Sequence, residues 1–410
     1  MIRVRHILRI TFRAVIALLF MTPPGLLLLV RFTDGVISDG EKIVLGYDEN
    51  NKRFQFWEPK VYELNGVDGP YLIDGQCIRV DENNEIQITP CPSDSLPVFV
   101  RNTLAPAFYV RLRDTYPVPA DTSDFPEKML VISDIEGNFE GFTGFLKKNG
   151  VINDRYEWTF GQGHIVFLGD FVDRGGEVLP VLWLIYHLEG QALRNGGCVH
   201  YILGNHEIMN IQGNWRYAQD KYKKIAQEIG RLPNPTDNYR LIYSQRSELG
   251  RWLRSKSVVG RIGTGLFVHG GISPDMLPLR LPVSDINHIV RVHIDQNLYH
   301  EPGNDPNANV LMGRTGPFWY RGLVENYKYY DKITEPVLDE ILRFYQTERM
   351  IIGHTIVDDI SSDFNGKVIR IDVRHGTEQF TGKTKGLWIE QGKWYKINDL
   401  GHKTAILLYD

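Results

Sequence analysis

The sequence predicts a layered α/β fold for the C-terminal two thirds of the chain. After Glu127, short apolar runs alternate with helix-like stretches, which is the element order of α/β proteins. The apolar runs are residues 129–133, 164–168, 199–203, 265–268 and 350–352. A run that is apolar along its whole length indicates a strand buried on both faces, so we expect helices to cover the sheets.

Helix-like spacing and a return to strands complete this pattern. The predicted helices are residues 139–148, 178–194, 218–228 and 335–346. Apolar strands follow near the C-terminus at residues 368–371, 386–389, 394–397 and 405–408. We therefore assign residues 127–410 to one α/β domain, which is large enough to be a catalytic domain.

Length, composition and charge limit the number of domains and the kinds of partner that we expect. The chain has 410 residues, which is enough for a large domain and an accessory one. Hydrophobic residues make up 42% and charged residues 23%, as in ordinary folded proteins. The net charge of −4 gives no basic excess of the kind that binds nucleic acid, so we expect no nucleic-acid partner.

Residues 41–113 differ from the rest. They are rich in short apolar alternations and turn residues, which predicts a small β-rich module of no legible function. Within it, Cys77 and Cys91 flank a stretch that predicts a hairpin turning at Asn83 and Asn84. The two cysteines are either bridged or free, because sequence spacing does not fix their geometry.

The first 35 residues carry a membrane-targeting pattern. Basic residues precede an apolar run from Ala14 to Val30, namely Arg3, Arg5, His6, Arg9 and Arg13. We interpret residues 1–35 as an uncleaved signal-anchor with its arginines in the cytoplasm, which places the catalytic domain in the periplasm or outside the cell. A cleaved signal peptide, which would release the protein, and a buried helix are the alternatives.

Polar residues follow the predicted strands at their carboxyl ends. Each of the five strands is followed by a carboxylate, amide or imidazole group: residues 134–138 (DIEGN), 170–174 (DFVDR), 205–207 (NHE), 269–271 (HGG) and 354–355 (HT). In α/β proteins, ligands bind beyond these ends. A single aspartate after a strand is most often a helix cap. Five successive strands that each end in such a polar group together supply the ligand types of a two-metal hydrolytic site.

These motifs resemble the metallophosphoesterase (calcineurin-like) superfamily. The strings GDFVDRG at 169–175, GNHE at 204–207, HGG at 269–271 and GHT at 353–355 stand in the order of its phosphoprotein phosphatase branch. GNHEIMN at 204–210, LFVHGGIS at 266–273 and GPFWYRG at 316–322 look like bacterial Shewanella-like phosphatases. The resemblance begins near Lys128 and covers neither the N-terminal segment nor the β-rich module.

The resemblance implies a four-layer αββα sandwich and a role for each motif residue. Asp170 would bridge two metal ions. Asn205, His269 and His354 would complete one metal site, and Asp134 and Glu136 the other. By the same resemblance, His206 would be the general acid, Asp173 its orienting partner, and Arg174 and Arg321 the phosphate clamps.

One motif departs from the family pattern. The family has Asp-X-His where this chain has Asp134-Ile135-Glu136. If Glu136 is a ligand, one metal site is made of carboxylates alone, which favours Mn²⁺ or Mg²⁺ over softer ions. We therefore expect two divalent ions, Mn²⁺ first, with Mg²⁺, Fe and Zn²⁺ as alternatives. If Glu136 is not a ligand, that site is weak.

The predicted activity is hydrolysis of a phosphomonoester by metal-bound hydroxide. The substrate would be a phosphoprotein, phosphorylated on Ser, Thr or Tyr, or a small phosphomonoester. Two alternatives stay open: a diadenosine-polyphosphate hydrolase, which uses the same motifs, and a non-catalytic binding protein on a degenerate phosphatase fold. Asp372 and His375 are weaker candidates for groups that support the ligands.

Overall fold

The computed structural model describes residues 36–38, 44–48, 53–57, 61–92, 95–100, 103, 105–232, 234–406 and 408. It contains two compact units, Met1–Glu63 and Leu64–Asp410. In the first, β1 (Val36–Ser38), β2 (Val44–Asp48) and β3 (Arg53–Trp57) form an antiparallel sheet. The predicted membrane segment lies outside the described residues. Among the helices that are described, none has the length and apolar character to cross a bilayer.

The second unit begins with five short strands. β4 (Asp68–Ile73), β5 (Gln76–Val80) and β6 (Ile86–Pro90) form an antiparallel sheet, and β7 (Leu96–Val98) pairs with β8 (Phe108–Val110). The predicted hairpin between β5 and β6 is confirmed, with Asn84 at a positive φ of 63° in its turn. Both hairpin cysteines are free thiols.

Two six-stranded sheets form the centre of this unit. The first has the order β12-β11-β10-β18-β19-β20, with its first three strands parallel and the others antiparallel. Its strands are β10 (Lys128–Ile132), β11 (His164–Leu168), β12 (Cys198–Ile202), β18 (Lys385–Glu390), β19 (Lys393–Asn398) and β20 (Lys403–Ala405). The predicted strands at 129–133, 164–168, 199–203, 386–389 and 394–397 are therefore confirmed to within one residue at most ends, whereas the strand predicted at 405–408 is wrong, because β20 ends at Ala405.

The second sheet has the order β16-β17-β15-β14-β13-β9. Its strands are β9 (Thr122–Ser123), β13 (Val259–Ile262), β14 (Gly265–Val268), β15 (Arg349–Ile352), β16 (Ser361–Asp363) and β17 (Val368–Arg370). Strand β14 runs parallel to β15, so the residues that follow them leave the sheet at the same edge.

The described α-helices are α1 (Phe139–Lys148), α2 (Val178–Arg194), α3 (Asn205–Ile211), α4 (Asp220–Gly230), α5 (Pro235–Ile242), α6 (Glu248–Arg254), α7 (Val283–His293), α8 (Pro306–Leu311) and α9 (Glu335–Tyr345). A 3₁₀ helix spans Pro274–Leu279. The bounds of α1 and α2 coincide with the predicted ones. Asn138 caps α1 by accepting from the backbone N–H of Gly141, which satisfies a donor at the helix start.

Alternate residues of the central strands enter two different cores. Val131 and Val166 of one sheet meet Phe267 and Ile351 of the other in a shared apolar cluster, so the sheets face each other. The intervening residues pack against the helices. Helices therefore cover only the outer faces, and the inner faces of the two sheets cover each other, as in the four-layer αββα sandwich that the resemblance implies. The layers run helix, sheet, sheet, helix.

The β-rich region beyond Leu64 packs against α2. Trp183 Nε1 donates to Pro70 O at 3.0 Å, and Arg113 pairs with Glu189 at 2.8 Å. The boundary between the two compact units falls after Glu63, inside the range 41–113 that the sequence pattern marks as one module.

Candidate active site

The predicted site residues leave the two sheets at neighbouring strand ends. Asp134, Asp170 and Asn205 follow β10, β11 and β12. His269 and His354 follow β14 and β15 of the second sheet. Eight of the ten predicted residues line one cavity of about 260 Å³: Asp134, Glu136, Asp170, Arg174, Asn205, His206, Arg321 and His354. Asp173 and His269 lie behind it and contact its lining.

Strained backbone is concentrated at this site. Six of the ten residues have a positive φ, between 51° and 68°: Asp134, Glu136, Asp170, Asp173, Arg174 and His354. Each such non-glycine residue costs about 1–3 kcal/mol and persists only where the surrounding structure fixes it. The fold therefore holds these side chains in place against local backbone preference.

Two glycines permit the close approach of the ligands. A Cβ on Gly169 would lie 2.5 Å from Nδ1 of His269, and a Cβ on Gly353 would lie 2.6 Å from Oδ2 of Asp134. Gly169 also has a φ of 84°, which side chains rarely adopt. Both positions must therefore be glycine.

Three buried side chains converge as one group of donors. The ligand atoms of Asp170, His269 and His354 all lie within 4.8 Å of one another. His269 Nδ1 is 2.8 Å from Leu168 O, to which it donates, so Nε2 carries the free electron pair in the neutral ring. That nitrogen lies 3.1 Å from Oδ2 of Asp170 and 3.1 Å from Oδ1 of Asn205. Three electron-pair donors that face one another fit a cation between them.

Buried carboxyl groups lie close together on the other side of the cavity. Burial raises the pKa of Asp134, and the charges of Asp372 and Asp170 raise it further. Burial likewise raises the pKa of Asp372 to about 6. Buried like charges at this density fit divalent cations, which would offset their repulsion. The residues present therefore suit a two-metal centre.

Glu136 lines this cavity but makes a different contact from the predicted one. Its carboxylate forms an ion pair with the guanidinium of Arg174. The tight group of donor atoms contains Asp170, His269 and His354 and does not include Glu136. Metal ligation by Glu136 stays a prediction.

His206 is placed for proton transfer. Its Nδ1 lies 2.6 Å from Oδ2 of Asp173, and its Nε2 lies 3.8 Å from Oδ2 of Asp170. Burial acts to lower the pKa of His206, but Asp170 and the hydrogen bond with Asp173 outweigh it and leave the pKa raised. The His206 ring can therefore carry a proton on Nε2, the nitrogen on the side of Asp170.

Arg321 lies beside the cavity of about 260 Å³, called the metal-ligand cavity below, and the loop of His354 holds it there. Its Nη1 donates to His354 O at 2.8 Å and to Thr355 Oγ1 at 3.2 Å. Arg174 and Arg321 thus stand on two different loops around the same cavity.

Sequence reasoning missed the role of Glu207. Its buried carboxylate accepts from the backbone N–H groups of Asp170 at 2.9 Å, Phe171 at 2.8 Å and Gly204 at 2.8 Å. It thereby fixes the loop that carries Asp170. The available signal was its place in the GNHE string, in the first turn of α3.

A second, larger cleft adjoins the metal-ligand cavity. Its volume is about 670 Å³, and Arg174, Asn205, His206 and Arg321 line both spaces. Its other walls are aromatic and basic side chains that include Tyr217, Tyr299, Arg314, Trp319, Tyr327 and Tyr329. The Tyr217 ring lies 5.1 Å from the His206 ring, between centroids.

The sequence pattern of the Calcineurin-like phosphoesterase family matches residues 127–358, which include strands of both sheets and every predicted ligand. The chain belongs to this family. Like its other members, this calcineurin-like phosphoesterase is a hydrolase of phosphate esters built around a dinuclear metal centre.

Two curated relatives are Shewanella-like phosphatases. Shewanella-like protein phosphatase 2 of Arabidopsis thaliana is 28% identical over 60% of this chain and 71% of its own length. Shewanella-like protein phosphatase 1 of Plasmodium berghei is 26% identical over 60% of this chain and 66% of its own. The crystal structure of the cold-active protein-tyrosine phosphatase of a psychrophilic Shewanella species superposes with a TM-score of 0.73. That phosphatase is 29% identical and covers 83% of this chain and 100% of its own.

Proposed function

We propose that this calcineurin-like phosphoesterase hydrolyses phosphate monoesters on protein side chains, with phosphotyrosine as the preferred group. One observation carries the proposal: Arg174, Asn205, His206 and Arg321 line both the metal-ligand cavity and the aromatic cleft. A phosphate in the cavity would leave its ester group in the cleft, beside His206.

The cleft supports an aromatic ester group. Rings of Tyr217, beside His206, and Trp319, near His354, line it, and aromatic faces pack well against a phenyl ring. The similar Shewanella protein is named a protein-tyrosine phosphatase, which agrees with this choice.

The proposal assigns side-chain ligands to each of the two metal ions. Asp170, Asn205, His269 and His354 would hold one ion, and Asp134, Glu136 and Asp170 the other. Divalent ions bound there supply Lewis-acid charge to the phosphate and make a bound water more acidic. With Glu136 as ligand, one site is all-carboxylate, which favours Mn²⁺.

The protein's own groups divide the remaining work. The guanidinium groups of Arg174 and Arg321 would bind two phosphate oxygens and orient the ester for in-line displacement. His206 would donate its Nε2 proton to the departing oxygen, and Asp173 would stabilise the charged ring beforehand. Deprotonated His206 would then take a proton from solvent.

A substrate panel tests the proposal. Purified full-length protein, loaded with Mn²⁺, is assayed on matched phosphotyrosine, phosphoserine and phosphothreonine peptides and on diadenosine tetraphosphate. We expect kcat/KM to be highest for phosphotyrosine. Higher kcat/KM on the dinucleotide would favour the polyphosphate hydrolase, and binding of phosphopeptides without turnover would favour the degenerate binding protein.

We also propose that residues 1–35 anchor the protein in the inner membrane with its catalytic domain outside the cytoplasm. The arginines before the apolar run support this orientation. A reporter that works only in the cytoplasm should be silent when fused after Asp410. An active fusion would overturn the orientation.

A further inference from the structure

A second group of potential metal ligands lies at the opposite ends of the catalytic strands. It consists of His164 at the start of β11 and Cys198 and His200 at the start of β12. Their donor atoms all lie within 4.8 Å of one another. Asp170 and Asn205 follow the other ends of the same two strands, so this group is separate from the catalytic centre.

Strand pairing fixes the arrangement of the three side chains. In the parallel ladder His164 stands opposite Cys198, and His200 is two residues further along β12. Residues two apart on a strand point to the same face, so Cys198 and His200 share a face of the sheet. Val166 and Ile202, which continue the same alternation, belong to the core between the sheets. The backbone therefore presents all three donors together.

The spacing suits a tetrahedral ion. Nε2 of His200 lies 3.0 Å from Nδ1 of His164, an ordinary hydrogen-bond distance between two imidazoles. With Zn–N bonds of about 2.0–2.1 Å, two nitrogens on one tetrahedral Zn²⁺ lie roughly 3.3 Å apart. To bind the ion, the two nitrogens must separate by about 0.3 Å, and the ring that donates this hydrogen bond must carry its proton on its other nitrogen.

The group also has an entry path and room for a further ligand. All three residues line a cleft of about 860 Å³ between the segment 113–120 and α2. A water in this cleft can complete a four-coordinate site.

The donor types favour a thiophilic ion. A cysteine binds a metal as the thiolate, so an ion bound here must displace the Cys198 proton into solvent, which selects ions that bind thiolate strongly.

We propose that His164, Cys198 and His200 form a mononuclear site for a thiophilic divalent ion such as Zn²⁺, distinct from the dinuclear catalytic centre. One thiolate and two imidazoles are a ligand set that Zn²⁺ accepts and Mg²⁺ and Mn²⁺ disfavour. The ion would clip β11 to the edge strand β12.

Cobalt substitution tests the proposal, because Co²⁺ bound to thiolate has a charge-transfer band in the near ultraviolet and the catalytic centre contains no thiol. Full-length protein is stripped with a chelator, reloaded with Co²⁺ and compared with Cys198→Ser. Cys91→Ser, which changes a half-buried thiol elsewhere, is the matched control. Zinc content per chain is measured on the same three proteins.

We expect the band in wild type and in Cys91→Ser, and its loss in Cys198→Ser together with one Zn²⁺ per chain. Hydrolysis of nitrophenyl phosphate should stay within about twofold in all three, which also reports that the variants fold. A wild-type protein without the band would overturn the proposal, and so would a band that survives in Cys198→Ser. If Cys198→Ser does not fold, the wild-type spectrum and its zinc content decide alone.

Discussion

Nδ1 of His206 lies 2.6 Å from Oδ2 of Asp173, and the side chains of both residues are buried. Because this contact occupies the outer nitrogen, Nε2 is left to face the metal-ligand cavity. The other oxygen of Asp173 has no hydrogen-bond partner among the described residues, so the carboxylate is committed to the histidine. The pair therefore positions a proton donor beside Asp170 without adding a metal ligand.

Loss of His206 should slow the reaction and leave the metal content intact. We expect His206→Ala to lower kcat by about 10²–10⁴-fold, the usual scale of general acid catalysis. The loss should be smaller for nitrophenyl phosphate than for phenyl phosphate, because nitrophenolate leaves without protonation. Rates on both esters and metal content check this, with the exposed His402→Ala as control. An equal loss on both esters would contradict the acid role.

Asp170→Asn should abolish turnover and lower metal occupancy. The carboxylate lies 3.1 Å from His269, and its Oδ1 accepts from the backbone N–H of His206 at 2.9 Å, so it is central to the donor group. An amide removes the charge that would be shared between two ions. The measurements are kcat and metal content, and exposed Asp358→Asn is the control. A folded Asp170→Asn protein with a near wild-type rate would remove this residue from the site.

Glu136 has two competing roles, which metal content separates. If Glu136 is a metal ligand, Glu136→Ala should remove one ion per chain and most of the activity. If Glu136 only pairs with Arg174, the same substitution should raise KM for the phosphoester and leave both ions in place. We expect the first result. Glu325→Ala, which changes another acid that lines the same cavity, is the matched control.

Glu136→His should restore the family motif and shift metal preference. An imidazole ligand replaces a carboxylate, so the ranking of activity across Mn²⁺, Mg²⁺ and Zn²⁺ should move towards Zn²⁺. Activity titrations with each ion check this. An unchanged ranking would argue that Glu136 does not bind the metal.

Acid should destabilise the fold partly through His187. Burial lowers the pKa of this histidine to about 4, against about 6.5 in the unfolded chain. Between these values the unfolded chain binds the proton and the folded chain does not, so stability falls as pH drops from about 6.5 to about 4. The full loss from this group is up to about 3 kcal/mol.

The variant His187→Phe tests that assignment. It removes the titration and keeps a ring near Phe108, which lies 6.0 Å away between centroids. Denaturant unfolding at pH 7 and pH 4.5 should show a smaller acid-induced loss in the variant than in wild type. The same loss in both proteins would place the acid sensitivity elsewhere.

The sequence predicts the ends of α1 and α2 and the polar residues after each strand, because both depend on local pattern. Local pattern alone does not reveal what covers a strand that is apolar on both faces, and only the resemblance of the motifs to the superfamily implied a second sheet there. The cover on the inner face is the second sheet, whose residues come from distant parts of the chain, such as Phe267 and Ile351. Two-residue β9 is too short to leave any pattern.

Contacts between distant loops also escape local pattern. The ion pair of Glu136 and Arg174 joins the loops after β10 and β11, and its existence depends on how both loops turn. The three backbone contacts of Glu207 are of the same kind. Motif recognition identified Glu136 and Arg174 as site residues but not Glu207, and only three-dimensional geometry separates a ligand from the groups that hold its loop.

The left-handed backbone at Asp134, Asp170 and His354 restricts which substitutions the fold can accept. Asparagine and glycine tolerate this conformation, whereas valine and isoleucine resist it even before their chemistry matters. A saturation library at these three positions should therefore yield two kinds of inactive clone. Asn and Gly clones would accumulate as soluble protein, and β-branched clones would be lost to misfolding, so expression level would separate damage to the backbone from damage to the chemistry.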